Sequence, residues 1–163
     1  MKPKFFFLAL AGVLFAADQL SKGWVEARLF EGQALTVIPG FFNIVHVRNR
    51  GAIFGFLSGS GDPWVRAGLL AAALAALAFV LYYFFKTPAS EKGTLAGLML
   101  ILAGALGNQI SRFRFGYVVD FLDVHVGNAH WPSFNVADSC ITIGAVWLIA
   151  SFLFRRRVSC CQR

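Results

Sequence analysis

The sequence predicts a membrane-embedded bundle of four transmembrane α-helices carrying a small β-sheet cradle at one end. Three observations lead there. Of the 163 residues, 58% are hydrophobic and only 14% charged, against about 45–50% apolar and about 25% charged in an ordinary soluble domain. Four apolar runs approach the roughly 17–25 residues with which a helix crosses a hydrocarbon core of about 30 Å. Between the first two runs lies a stretch rich in β-branched and aromatic residues around a Pro-Gly pair. This composition excludes a soluble fold and a disordered chain, and the length suits a single domain over residues 1–163.

The first run covers about 5–20. Lys2 and Lys4 ahead of it and Ala16 and Ala17 near its end resemble a cleavable secretory leader. Phe15 spoils the small-x-small cleavage pattern and three more runs follow, so it reads as a retained span. The outer stretch 21–66 holds Leu35-Thr-Val-Ile38, Pro39-Gly40 and Phe41-Phe-Asn-Ile-Val-His-Val47. From Lys22 to Trp64 it reads as a hairpin on the membrane surface and as the only part of the chain with strand character. The second run, 67–85, contains no charged residue, which favours lipid over a soluble core. The third run covers 94–110, a second outer stretch 111–136, and the fourth run 137–154. At about 1.5 Å per residue the runs are about 24–28 Å long, enough to span if flanking side chains snorkel.

Fifteen Lys and Arg against eight Asp and Glu give a net charge of +7, which alone would suggest nucleic acid. Placed on the four runs, the basic residues divide almost evenly, but those on the side of the termini are packed into short flanks. All the acids except Glu91 fall on the other side. The surplus is therefore an orientation signal with both termini cytoplasmic, and no nucleic-acid partner is implied. Cys140, Cys160 and Cys161 form neither a disulfide framework nor a zinc module.

Polar clusters gather at the outer ends of the runs, where ionisable groups are costly and suspect for function. Asp18 and Lys22, one turn apart, read either as a surface ion pair or as part of a site. Asn135 and Asp138 suit a helix N-cap and its acidic partner three residues on. Asn108 and Arg112 share a helix face, where they can anchor a span at the headgroups. Asp120 resists a bland reading, because it interrupts the apolar Tyr117-Val-Val-Asp-Phe-Leu122 and needs a partner there. Two carboxyls brought to one lip do not both ionise easily, so one keeps a proton while the other acts as a base. Such a pair hydrolyses an amide without a metal. Asp138, in the first turn of a helix, is favoured as the anion, leaving Asp120 the proton.

Taken together, Asp18 with Lys22, Asn49 with Gly51, Asn108 with Arg112, Val118-Val-Asp120 and Asn135-Val-Ala-Asp138 resemble the spaced motifs of the bacterial lipoprotein signal peptidases, signal peptidase II. The resemblance runs over about 18–146. It implies an aspartic endopeptidase of the bacterial inner membrane: a membrane all-α bundle of four transmembrane helices with a small periplasmic β-sheet cradle and a periplasmic active site. The implied reaction removes the signal peptide of a prolipoprotein by hydrolysing the bond before its diacylglyceryl-modified cysteine. Catalytic roles pass by resemblance to Asp120 and Asp138. Substrate-binding or supporting roles pass to Asp18, Lys22, Asn49, Gly51, Asn108, Arg112 and Asn135. No metal or cofactor is implied, and the expected partners are lipid-modified prolipoproteins and membrane lipids, with the enzyme a monomer. The chain departs from the family pattern at Ser111, where Asp usually precedes the Arg, and at Ala103, where Gly is common.

Other readings fit these residues less well. Asp120, Asp123, His125 and His130 could serve a metal-dependent hydrolase, but they lack a helical zinc spacing such as H-E-x-x-H. A small proton-coupled transporter wants an ionisable residue near the middle of a span, and none of the four runs has one. A purely structural membrane subunit gives no reason for five polar clusters to converge. Gly59-Ser-Gly-Asp62 matches a protease-like G-x-G-D, but sits in a Gly/Ser turn before Pro63 and not in an apolar helix.

Overall fold

A computed structural model of the chain describes residues 2–50 and 63–160. The elements run α1 (Lys2–Arg28), β1 (Ala34–Ile38), β2 (Phe42–Asn49), α2 (Pro63–Lys86), α3 (Lys92–Phe115), β3 (Val118–Val126), β4 (Ala129–His130) and α4 (Val136–Cys160). Three helical stretches, Lys4–Arg28, Lys92–Phe115 and Val136–Leu153, are long and apolar enough to cross a membrane; α2 contributes the shorter apolar stretch Leu70–Lys86. Every helix overruns its predicted apolar run. In α1 the overrun has a packing cause: Val25, beyond the run, and Leu29, just past the helix end, are buried against Val119 and Phe121 of β3.

Burial is inverted relative to a water-soluble protein. Phe5, Phe6, Val13, Leu20, Phe79 and Phe152 are exposed, while Asp18, Lys22, Asn108, Ser111, Asp120 and Asn135 are buried. Such a surface suits lipid, and a polar interior of this kind must be fully hydrogen-bonded to be tolerated.

Helix α3 is the centre of the bundle, packing against all three other helices. Its small residues Gly97, Gly104 and Ser111 recur every seven positions, which lets a neighbouring backbone come close. A methyl group on Gly104 would strike the carbonyl oxygen of Ala137 and lie 2.8 Å from Ile141 Cγ1 on α4. Gly104→Ala is therefore expected to push α3 and α4 apart at a cost of about 1–3 kcal/mol. A lowered melting temperature in detergent is the check.

The strands form one antiparallel sheet in the order β1-β2-β3-β4. The expected hairpin is present. Pro39 and Gly40 make its turn, with Gly40 at φ +77° and the Phe41 N–H donating to the Ile38 carbonyl at 3.1 Å, as a type II turn requires. The expectation that strands are confined to the stretch from Lys22 to Trp64 is corrected: β3 and β4 lie in the second outer stretch. Val118-Val-Asp-Phe121 is buried at every position, so its apolar residues do not alternate as in a strand with one face in water. His46 Nδ1, 2.8 Å from the Leu29 carbonyl, ties β2 to the end of α1.

Candidate active site

The site lies where α1, α3, α4 and the sheet meet. Asp18 and Lys22 are 1% and 4% exposed, so the surface-pair reading gives way to a buried one. Lys22 Nζ donates to Asp18 Oδ2 at 2.8 Å and to Asn108 Oδ1 on α3 at 2.9 Å. Asp18 Oδ1 accepts the Ala137 N–H of α4 at 2.9 Å. A Cβ at Gly107 would lie 2.6 Å from Asp18 Oδ2, so only glycine lets the carboxylate approach α3 this closely. Asp18 thereby fastens three helices at one point.

Asn108 transmits this arrangement. With its oxygen occupied by the Lys22 ammonium, its Nδ2 is left to donate, and it does so to Asp138 Oδ1 at 2.8 Å. Asp138 sits in the first turn of α4 and completes a reciprocal cap. Its N–H donates to Asn135 Oδ1 at 3.0 Å, and its Oδ2 accepts the Asn135 N–H at 3.2 Å. The capping reading is thus realised, and Asn108 joins that cap to α3. Two hydrogen bonds and the positive end of the helix dipole converge on the Asp138 carboxyl.

Asp120 comes from β3, and Asn135 also reaches it. Asn135 Nδ2 donates to Asp120 Oδ1 at 2.7 Å, and Asn49 Nδ2 of β2 to Asp120 Oδ2 at 3.0 Å. One asparagine therefore contacts both aspartates. Burial raises the pKa of Asp120 from 3.8 to about 6; the Asp138 charge adds to the rise, and the bonds from Asn49 and Asn135 and the Lys22 charge oppose it. Because the folded value lies above the unfolded one, Asp120 contributes stability below pH 3.8 that is lost as pH rises through about 6. Asp120→Asn, a neutral isostere, is expected to melt higher than wild type at pH 8. The gap should close towards pH 4, and parallel melting curves at the two pH values test this.

The sequence between residues 10 and 154 matches the family model described as signal peptidase (SPase) II. The chain belongs to the signal peptidase II family. Among its relatives are two proteins named lipoprotein signal peptidase. That of Syntrophus aciditrophicus (strain SB) is 42% identical over 96% of this chain and 97% of its own length. That of Oleidesulfovibrio alaskensis is 44% identical over 91% and 95%. A solved bacterial membrane enzyme, determined by the in meso method at 2.3 Å resolution, superposes with a TM-score of 0.80 at 34% identity, covering 91% of this chain and 87% of its own.

Of the residues that the family motifs single out, the fold gathers Asp18, Lys22, Asn49, Asn108, Asp120, Asn135 and Asp138 into one hydrogen-bonded network. Arg112 stays apart: its side chain is exposed in the last turn of α3 and makes no hydrogen bond among the described residues. Gly51 and the Asp62 segment lie outside the described residues. Two further residues join this network, Gln19, which carries no role in the sequence motifs, and Ser111, which the sequence marks only as a departure from the family pattern. Gln19 Nε2 donates to Asp18 Oδ2 and the Gly107 carbonyl, both at 3.0 Å, and to Ser111 Oγ at 3.2 Å. Ser111, where the family usually carries Asp, donates to the Gly107 carbonyl at 3.0 Å. The seven-residue repeat of small residues in α3, and the adjacency of Gln19 to Asp18, are the signals that could have found them.

The residues of the metal alternative divide between two environments. Asp120 takes its bonds from the amides, whereas Asp123 Oδ1 pairs with His130 Nδ1 at 2.8 Å and its Oδ2 accepts Asn43 Nδ2 at 2.9 Å. Burial pushes the Asp123 carboxyl up, but the bonds from Asn43 and His130 outweigh it and hold it below the ordinary value. His125 stacks on His130 with ring centroids 4.5 Å apart. Among the described residues no three His, Cys, Asp or Glu side chains are grouped to hold a metal ion.

Proposed function

We propose that this family member is an aspartic endopeptidase that removes the signal peptide of a prolipoprotein, with Asp138 as general base and Asp120 as its proton-bearing partner. The observation that carries the aspartic reading is Asn135. It donates to Asp120, and its backbone and side chain hold Asp138, so carboxyls from two different elements are fixed as a unit. In the reaction, Asp138 takes a proton from a water whose oxygen attacks the carbonyl carbon before the modified cysteine. Asp120 gives its proton to the developing oxyanion. The tetrahedral carbon then collapses. The C–N bond breaks, the cysteine nitrogen leaves with the proton held by Asp138, and Asp120 recovers its proton from the hydroxyl. The pair titrates as one.

The amides of Asn49, Asn108 and Asn135 orient the two carboxyls in this reading. Arg112 and Gly51 remain assigned to the substrate by family motif alone. The protein works as a single domain and a monomer with four spans, α2 being the fourth. Both termini are cytoplasmic and the sheet is periplasmic, so the site meets a substrate whose acyl chains stay in the bilayer. Its partners are lipid-modified prolipoproteins and membrane lipids. Support for the depth comes from the polar network lying at the ends of apolar helices beside the sheet. The test is cleavage by the purified protein of one preprotein with and without its diacylglyceryl group. Only the modified form is expected to be cut, at the bond before the cysteine and undiminished in excess EDTA. Equal cleavage of the unmodified form would remove the lipoprotein specificity, and loss in EDTA the aspartic mechanism.

A further inference from the structure

Asp18, Lys22 and Glu26 fall at i, i+4 and i+8 of α1, on one stripe of the helix. The first two hold α3 and α4. Glu26 reaches the sheet instead: its Oε1 accepts the Tyr117 hydroxyl and Arg48 Nη2, the latter at 3.3 Å. Arg48 Nη1 also pairs with Glu31 Oε2 at 3.2 Å, and its guanidinium lies 4.8 Å from the centre of the Tyr117 ring. Tyr117 immediately precedes β3, and Arg48 pairs with Val119 in register. The neighbours of Arg48 are Val47, which faces Asp120 across the strands, and Asn49, which donates to Asp120. The reaction itself uses none of Glu26, Arg48 and Tyr117.

We infer that Glu26, acting through Tyr117 and Arg48, is a positioning residue for Asp120, and that α1 is the rigid rod fixing the two aspartates relative to each other. Asp18 and Glu26 are eight residues apart, about 12 Å of helix. One end of that length sets the α4 start that bears Asp138, and the other sets the strands that bear and flank Asp120. The bond to Glu26 and partial burial raise the Tyr117 pKa above its ordinary value, so the hydroxyl stays a donor at neutral pH. Among the described residues, the charged groups that bear on Asp120 are Asp138 of α4 and Lys22 of α1; a shift of the sheet changes its distance to both.

This inference rests on the aspartic reading, and the experiment separates the two. Tyr117→Phe, Glu26→Ala, Glu26→Gln and Asp120→Asn are compared in the full-length protein for kcat, KM, the pH dependence of kcat and melting temperature, with a lipid-modified prolipoprotein as substrate. Tyr117→Phe and Glu26→Ala are expected to lower kcat about 10–100-fold with KM nearly unchanged, as a misplaced catalytic group does, and to move the carboxyl limb of the pH profile. Glu26→Gln still accepts the Tyr117 hydroxyl but has lost its charge for Arg48, and should fall between; it also serves if either larger change fails to fold. Wild-type kcat and an unmoved pH profile in Tyr117→Phe and Glu26→Gln, even with a lower melting temperature, overturn the inference, as does a rise in KM alone. Full activity in Asp120→Asn overturns the aspartic reading itself.

Discussion

Asp120→Asn and Asp138→Asn are each expected to lower cleavage of a lipid-modified prolipoprotein by about 10²–10⁴-fold, the range of a lost general acid or base. The stability changes should have opposite signs. Asn at position 120 can keep its oxygen on the Asn135 amide and donate its own NH2 to an Asn49 side chain turned to present its oxygen, and it removes a buried group that ionises at a cost, so this variant is expected to be the more stable one at pH 8. Asn at position 138 sets its own amide against that of Asn108 or gives up the reciprocal cap with Asn135. It should lose about 0.5–2 kcal/mol, as a failed N-cap does. Turnover and melting temperature on the same two preparations check both statements. Near-normal turnover in either variant would end the two-carboxyl mechanism.

Lys22→Met should have the largest effect on folding. The Lys22–Asp18 pair is closed to solvent, with side chains 5% and 2% exposed, and removing one partner of such a pair typically costs about 3–5 kcal/mol because the other charge is stranded. Asp18→Asn added to Lys22→Met leaves no stranded charge and should restore most of that loss, since an Asn oxygen can still accept the Ala137 N–H. Activity should stay low in the double variant. Without the ammonium on its oxygen, Asn108 loses the bond that aims its amide at Asp138. Unfolding in detergent, read beside turnover, separates the two losses, and a double variant that regains full activity would show that Asn108 needs no such aiming.

Much of this site was legible in the residues because its motifs are local. Asp18 and Lys22 are one helical turn apart, and Asn135 and Asp138 have cap spacing, so each pair predicts its own geometry before any tertiary contact is known. What joined the pairs was not legible. The bond from Lys22 to Asn108 spans 86 positions and that from Asp18 to the Ala137 N–H spans 119; no periodicity carries such information. Strand β3 was not legible because both of its faces are covered, one by Val25 of α1 and by Leu29 just past its end, which removes the alternation that marks a half-buried strand. Arg112 illustrates the converse. Its spacing from Asn108 puts both on one helix face, yet Asn108 is buried in the network and Arg112 is exposed a turn later, because α3 has by then run past the bundle.

Asn135 has a consequence for how the protein fails. The bonds that start α4 also tether the two aspartates, so opening one turn of helix disarms the protein while the rest of the bundle stands. Such local openings need less free energy than global unfolding. Heat inactivation should therefore precede melting of the bundle and be reversible within that interval, with amide exchange at Asn135, Ala137 and Asp138 rising as turnover falls. The thermal limit of the enzyme is then that of a single helical turn.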